Sequence, residues 1–156
     1  MDYQWDFSAI IAYKALLLVG LQNTVILGVT CLVLGLFFGI FVGAARYSRN
    51  PVFYWPSTAF VEVFRNTPVL VQIIWFFFAF PIISPFEINA FTAAALGLTL
   101  NTTAFSSEIY RAGIQSIDRG QWEAAKALGM GYIGQMRRII MPQAVKRMIP
   151  AFMNRA

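Results

Sequence analysis

The chain has 156 residues, of which 58% are hydrophobic and only 12% charged, a balance too apolar for a soluble domain of this length. A formal charge of +5 is compatible with nucleic acid, but the 12 Lys and Arg are spread along the chain and form no single basic stripe, which argues against that partner. With no histidine and a single cysteine, Cys31, the chain can hold no imidazole metal site, no Ser/His or Cys/His catalytic pair and no internal disulfide.

Three intervals carry no charge at all: Ala15 to Ala45, Asn66 to Phe86 and Ile88 to Ser107. Each supplies the roughly 20 apolar residues that cross a hydrocarbon core, so the pattern predicts an all-α, polytopic transmembrane helical bundle. Residues 1–18 read as an interfacial lead-in, where Asp2, Trp5, Asp6, Phe7, Tyr13 and Lys14 mix aromatic and polar groups. The first span is expected at 22–45. It is too long for a cleavable signal peptide and ends on Arg46 and Arg49, a stop-transfer pattern. Gly35, Gly39 and Gly43 recur every four residues, which leaves one helix face flat enough for another helix to come close. Cys31 within this span is assigned to packing.

After the first span, Asn50-Pro51 breaks the helix, and a short helix is expected from Pro56 to Glu62. It leads into Phe64-Arg65-Asn66-Thr67-Pro68. Glu62 and Arg65 are three residues apart and can neutralise one another near the inner surface, or Arg65 can take part in gating. The second span, 67–84, is strongly aromatic, with Trp75, Phe76, Phe77, Phe78 and Phe80 suited to lipid and helix packing. Pro81 and Pro85 bracket the following turn.

The third span, 88–110, carries Asn101, Thr102 and Thr103 past its middle, then Ser106, Ser107 and Glu108. Polar groups at that depth face a bundle interior or a watery path, because hydrocarbon cannot satisfy them. Asn101, Phe105 and Glu108 share one helix face that continues to Arg111. Thr67, Gln72, Asn101, Ser106, Glu108 and Arg111 are therefore the candidate substrate path. The alternative is structural: Asn101 and Ser106 bonding between helices, and Glu108 paired with Arg111.

Behind this span, Asp118-Arg119-Gly120-Gln121-Trp122-Glu123-Ala124-Ala125-Lys126-Ala127-Leu128-Gly129 predicts a short helix over about 119–131. Asp118 can cap its first N–H groups, Gln121 can reach back to Asp118, and Gly129 and Gly131 can end it in the left-handed conformation. A fourth, partial span is expected at 139–156, interrupted by Lys146 and Arg147, and the chain is expected to stop before that span is complete. Lys and Arg cluster after the first and third spans, and none lies between Pro81 and Glu87. The positive-inside rule then places the amino terminus and the 81–87 connection outside and the 119–131 segment in the cytoplasm.

Glu123-Ala124-Ala125, Gly129 after three more residues, and Ile139-x-Met141-Pro142 after nine more resemble the EAA signature of the permease subunits of ATP-binding-cassette importers. Only Met141, in place of Leu, departs from it, and that exchange keeps volume and apolar character. Phe64 to Pro68 followed by Val69-Leu70-Val71-Gln72, and the run from Glu108 to Ile117, resemble the branch of that family that takes up polar amino acids. The resemblance implies a type I importer permease fold in the prokaryotic plasma (inner) membrane, with substrate brought by a periplasmic or extracellular amino acid binding protein. It also implies a second permease subunit, identical or different, and a dimer of cytoplasmic ATP-binding subunits gripped through the EAA loop. The residues assigned to that grip are Arg119, Gln121, Glu123, Ala124, Ala125, Lys126 and Gly129. With no Gly-x4-Gly-Lys-Ser/Thr loop, the chain itself is expected to bind no ATP, hold no cofactor and catalyse no reaction.

Three other readings compete. The 119–131 helix can lie on the bilayer with Trp122, Ala125 and Ile133 toward lipid. The protein can be an ATP-independent carrier or channel using Asn101, Glu108 and Arg111. It can also be a fragment without transport activity.

Overall fold

The computed structural model describes residues 8–48 and 50–154, and every regular element among them is a helix. The expectations for Asp2, Trp5, Asp6, Phe7 and Arg49 lie outside the described residues. After a single turn at Ser8–Ala12, α1 (Lys14–Tyr47) runs for 34 residues, roughly 50 Å at 1.5 Å per residue. It therefore starts within the stretch read as a lead-in, because Ala15-Leu16-Leu17-Leu18 offers no breaker.

Next comes α2 (Pro51–Asn66), which begins five residues before the expected Pro56. Asn50 caps it by accepting from the Val52 N–H at 3.0 Å, with Pro51 in the first turn, where its missing N–H costs nothing. Pro56 sits one turn further in and removes only the bond to Val52. Thr67 and Pro68 are extended, as a residue before proline prefers to be, and α3 (Val69–Ile83) leaves at 105° to α2.

Asn89 then caps α4 (Ala90–Gln115), accepting from the Thr92 N–H at 2.8 Å. A short turn leads to α5 (Arg119–Ala127). The last helix, α6, covers 132–153. Both α3 and α6 widen into one π-type turn, at Trp75–Ala79 and Met136–Ile140. Each wide turn ends two residues before a proline, Pro81 or Pro142. The proline ring clashes with the carbonyl four residues back, and the chain responds by bonding five back, Phe80 N–H to Trp75 and Met141 N–H to Met136.

Helix α4 is the centre of the bundle, with α1 lying along it and α2, α3 and α6 packed on its other sides. The buried stripe of α1 is Cys31, Gly35, Gly39 and Gly43. A Cβ placed on Gly35 would stand 2.5 Å from the Thr102 side chain, and one on Gly39 2.1 Å from Ser106 Oγ. The close approach lets Ser106 Oγ donate to the Gly35 carbonyl at 2.9 Å. Large apolar side chains of α1, among them Leu16, Val25, Val33 and Phe41, point outward instead. Small residues inside and large ones outside is the arrangement of helices that gain nothing by hiding apolar surface from lipid.

Among the described residues, α1 alone is long and apolar enough to cross a membrane by itself, and α2 with α3 meets that measure only as a bent pair. Helix α4 has the length, at 26 residues, but Thr103, Ser106 and Ser107 on its buried side lower its apolar character. At the far end of α4 a compact apolar cluster of Ile117, Ile140, Ala144 and Met148 joins it to α5 and α6. Gly113 lets α6 in, since a Cβ there would lie 2.4 Å from Met148.

Candidate functional site

Helix α5 projects from the end of the bundle. Asp118 has the extended backbone of a cap, but its side chain bonds no helix N–H. Its carboxylate instead meets Arg147 of α6 at 3.4 Å, and the same guanidinium donates to the Ser116 carbonyl at the end of α4. Gln121 does not reach back either: its Oε1 accepts from Gln143 Nε2 at 3.2 Å. The predicted reciprocal cap is therefore replaced by two ties to α6, which offers a charge and an amide where the exposed N–H groups can be served by water.

The helix stops at Ala127, four residues short of the expected 131. Gly129 is left-handed at φ 71°, while Gly131, at φ −67°, starts the next helix. Met130 N–H bonds the Ala125 carbonyl at 3.1 Å and Gly129 N–H the Lys126 carbonyl at 2.9 Å, the paired closure of a helix ending on a left-handed glycine. Buried Gln135 holds the loop from below by donating to the Met130 carbonyl.

Two residues anchor α5 to the body: Ala125 is fully buried, and half-buried Trp122 stacks on Tyr132 with ring centres 6.1 Å apart. Arg119, Gln121, Glu123, Ala124, Lys126 and Gly129 are exposed. Leu128 and Ile133 stand out on either side of the loop, 78% and 80% exposed. The grouping of Trp122, Ala125 and Ile133 on one lipid-facing side is thus corrected, because the first two turn inward and the third outward. Ala125, fully buried, is the foot on which the helix stands. A cleft of 1380 Å³ separates α5 from the end of α1, and Arg119, Glu123 and Lys126 edge it opposite Tyr47 and Ala44.

The second constellation lies on α4. Glu108 binds Arg46 from α1 and Arg111 from its own helix, with Arg111 Nε at 3.2 Å from Oε2, and Arg65 of α2 stands 4.0 Å away. Three arginines from three helices thus surround one carboxylate. Arg65 does not pair with Glu62, whose carboxylate accepts instead from Asn66 Nδ2 at 3.0 Å. Arg65 turns toward the bundle and lies over the Phe105 ring, 5.1 Å from its centre. Arg46 is the residue that sequence reasoning missed here; it lies three positions beyond Gly43 and so extends the stripe that faces α4.

The remaining candidates divide. Asn101 Nδ2 and Gln72 Nε2 both donate to the Phe64 carbonyl, at 3.0 and 2.9 Å, and Gln72 also holds the Thr67 carbonyl at 2.9 Å. Thr67, Gln72 and Asn101 therefore meet at the α2–α3 elbow, a short way along the face that carries Glu108 and Arg111. Ser106 does not join them, because its hydroxyl is spent on the Gly35 and Thr102 carbonyls at the α1 contact. Among the described residues no three His, Cys, Asp or Glu side chains gather where a metal could sit.

Comparison with known proteins bears on both constellations. Residues 35–156 match a family described as the inner membrane component of binding-protein-dependent transport systems. The arginine transport system permease protein ArtQ of Bacillus subtilis is 40% identical over 149 residues, 96% of this chain and 68% of that protein. The glutamate/aspartate import permease protein GltK of Escherichia coli O157:H7 is 36% identical over 159 residues, 97% of this chain and 71% of that protein. The chain thus spans about two thirds of the length of these curated relatives. Among solved structures, an amino acid ABC transporter crystallised with histidines superposes with a TM-score of 0.87 at 35% identity, covering 98% of this chain and 71% of that one. The MetNI methionine ABC transporter shares the fold, with a TM-score of 0.69 at 23% identity.

Proposed function

The chain belongs to the family of inner membrane components of binding-protein-dependent transport systems, and from that premise we propose that it is a permease subunit of an ATP-driven importer of polar amino acids, coupled to its motor through α5. It is a transporter subunit and not an enzyme. The relatives named for arginine and for glutamate and aspartate support the substrate class. Its motor is a pair of cytoplasmic ATP-binding subunits, its substrate arrives on an external binding protein, and a second permease subunit completes the path.

What carries the coupling assignment is a single observation: α5 is anchored through buried Ala125 and half-buried Trp122 while Ala124 and the charged Arg119, Glu123 and Lys126, which edge the cleft toward α1, stay exposed. A short, stiff helix with one side fixed and one side open can pass a push from a partner to the bundle. In this reading α1, α3, α4 and α6 cross the bilayer, with the Pro81 to Glu87 connection outside. Arg46, Arg111, Arg119, Lys126, Arg137 and Arg138 then lie at the cytoplasmic side, where ATP is. Thr67, Gln72, Asn101, Glu108 and Arg111 border the substrate path. Coupling requires that nucleotide-bound and nucleotide-free motors contact α5 differently.

The test is co-expression with a cognate ATP-binding subunit and binding protein, purification, and reconstitution into vesicles. Co-purification of the ATPase and uptake that requires ATP are expected. Uptake driven by an ion gradient with no bound ATPase would establish the carrier reading instead.

A further inference from the structure

We infer that Arg65 is an anion-binding residue of the translocation path, placed to hold the carboxylate of a passing amino acid. The inference rests on the importer reading and adds a residue to it. Glu108 is already fully engaged without Arg65: Oε1 takes Arg111 Nη2, and Oε2 takes Arg46 Nη1 and Arg111 Nε. Two guanidinium groups against one carboxylate leave a surplus of positive charge before Arg65 is counted.

Arg65 brings a third cation to 4.0 Å from Oε2, beyond hydrogen-bond length, and it makes no hydrogen bond to any described residue. The guanidinium also lies over the face of the Phe105 ring, which steadies its plane without occupying its N–H edges. The side chain is 36% exposed, whereas that of Arg46 in the same cluster is 8% exposed. The opening lies on a cavity of 450 Å³ bordered by Arg65, Phe105, Glu108, Ala151 and Asn154.

A guanidinium with a free edge, in a region with surplus positive charge, is matched in shape and charge to a planar two-oxygen anion. A carboxylate fits that fork. The phosphate of an anionic lipid has similar chemistry, and the two sources differ in what removes them.

The experiment uses the permease purified with its ATP-binding subunits in lipid nanodiscs, titrated calorimetrically with L-glutamine, L-arginine and the α-carboxamides of both. The wild type is expected to bind at least one of the free amino acids and to lose that binding when its carboxyl is amidated. Arg65→Gln should weaken the same binding by about tenfold or more, and Arg65→Lys by less, because a charge-assisted bond is lost in one and partly kept in the other. Unchanged affinity in Arg65→Gln, equal affinity for the carboxamides, or no binding by the wild type would overturn the inference. Phosphatidylglycerol that co-purifies with the wild type and not with Arg65→Gln, in the absence of amino-acid binding, would assign the anion to lipid and overturn the carboxylate. Co-purification of the ATPase is scored separately in every variant. Its loss in the wild type rejects the importer reading, whereas its retention in Arg65→Gln shows that the variant is assembled and that only Arg65 is being tested.

Discussion

Gln143 of α6 donates to Gln121 of α5 across 3.2 Å, which ties the beginning of the short α5 helix to the residue just after Pro142. With Arg147 bridging Asp118 and the Ser116 carbonyl, α5 is held to α6 at its first turn. Ala125 is then the point about which the helix rests, while its neighbour Ala124, about 100° further round the helix, is exposed.

That difference separates two adjacent substitutions. Ala125→Leu forces extra volume into a filled site and should destabilise the protein by about 1–3 kcal/mol. Ala124→Leu should leave thermal stability within about 0.5 kcal/mol, as exposed changes do, while lowering association with the ATP-binding subunit. Thermal unfolding in detergent and co-purification, measured on both variants, check the pair; the reverse pattern would place the motor on the wrong side of α5.

Gly129 and Gly131 differ in backbone, although both lie in open space. Gly129→Val must hold a branched residue at φ 71° and should cost about 1–2 kcal/mol, fraying the end of α5 and abolishing ATP-driven uptake without preventing membrane insertion. Gly131→Ala sits at φ −67° and should transport normally. Uptake in vesicles made from cells with matched permease levels decides it.

On α1, Gly39→Leu should push the helix off α4, because even a Cβ would come 2.1 Å from Ser106 Oγ. The expected loss is about 3 kcal/mol or more, seen as a monodisperse peak lost in size-exclusion chromatography. Gly28→Leu, with nothing within 4 Å, is the control and should behave as the wild type does.

Glu108→Gln leaves the nearly buried Arg46 without its counter-charge and should destabilise by about 3 kcal/mol, the cost of breaking one side of a buried pair. Glu62→Gln, which touches only Asn66 on the surface, should change stability by less than about 0.5 kcal/mol. A double-mutant cycle with Arg46→Met should recover part of the Glu108 loss, since the most buried of the three arginines goes with its partner, while Arg111 keeps its bond to Gln115 and Arg65 stays partly exposed.

Much of this was legible in the residues. The apolar intervals marked the helices, Gly35, Gly39 and Gly43 marked a close-packed face, and the Glu123 to Pro142 spacing marked the projecting helix and its left-handed Gly129. Those features depend on neighbours a few positions apart, and local spacing is what a sequence displays. Spacing alone offers Arg65 either Glu62 or a gating role for the same reason: Glu62 is three residues away, and Glu108 is far along the chain. Asp118 and Gln121 were likewise given to each other, when Arg147 and Gln143 claim them.

Composition and periodicity alone therefore determined that this protein is a set of apolar helices with a short charged helix behind the third long apolar interval. Only the tertiary structure decided which small face meets which helix, that Ala125 is foot and Ala124 is tip, and that three arginines converge on Glu108. The physical reason is that a charge or a hydrogen-bond donor in a low-dielectric bundle takes the partner that packing brings within about 3 Å, and sequence separation does not enter that choice.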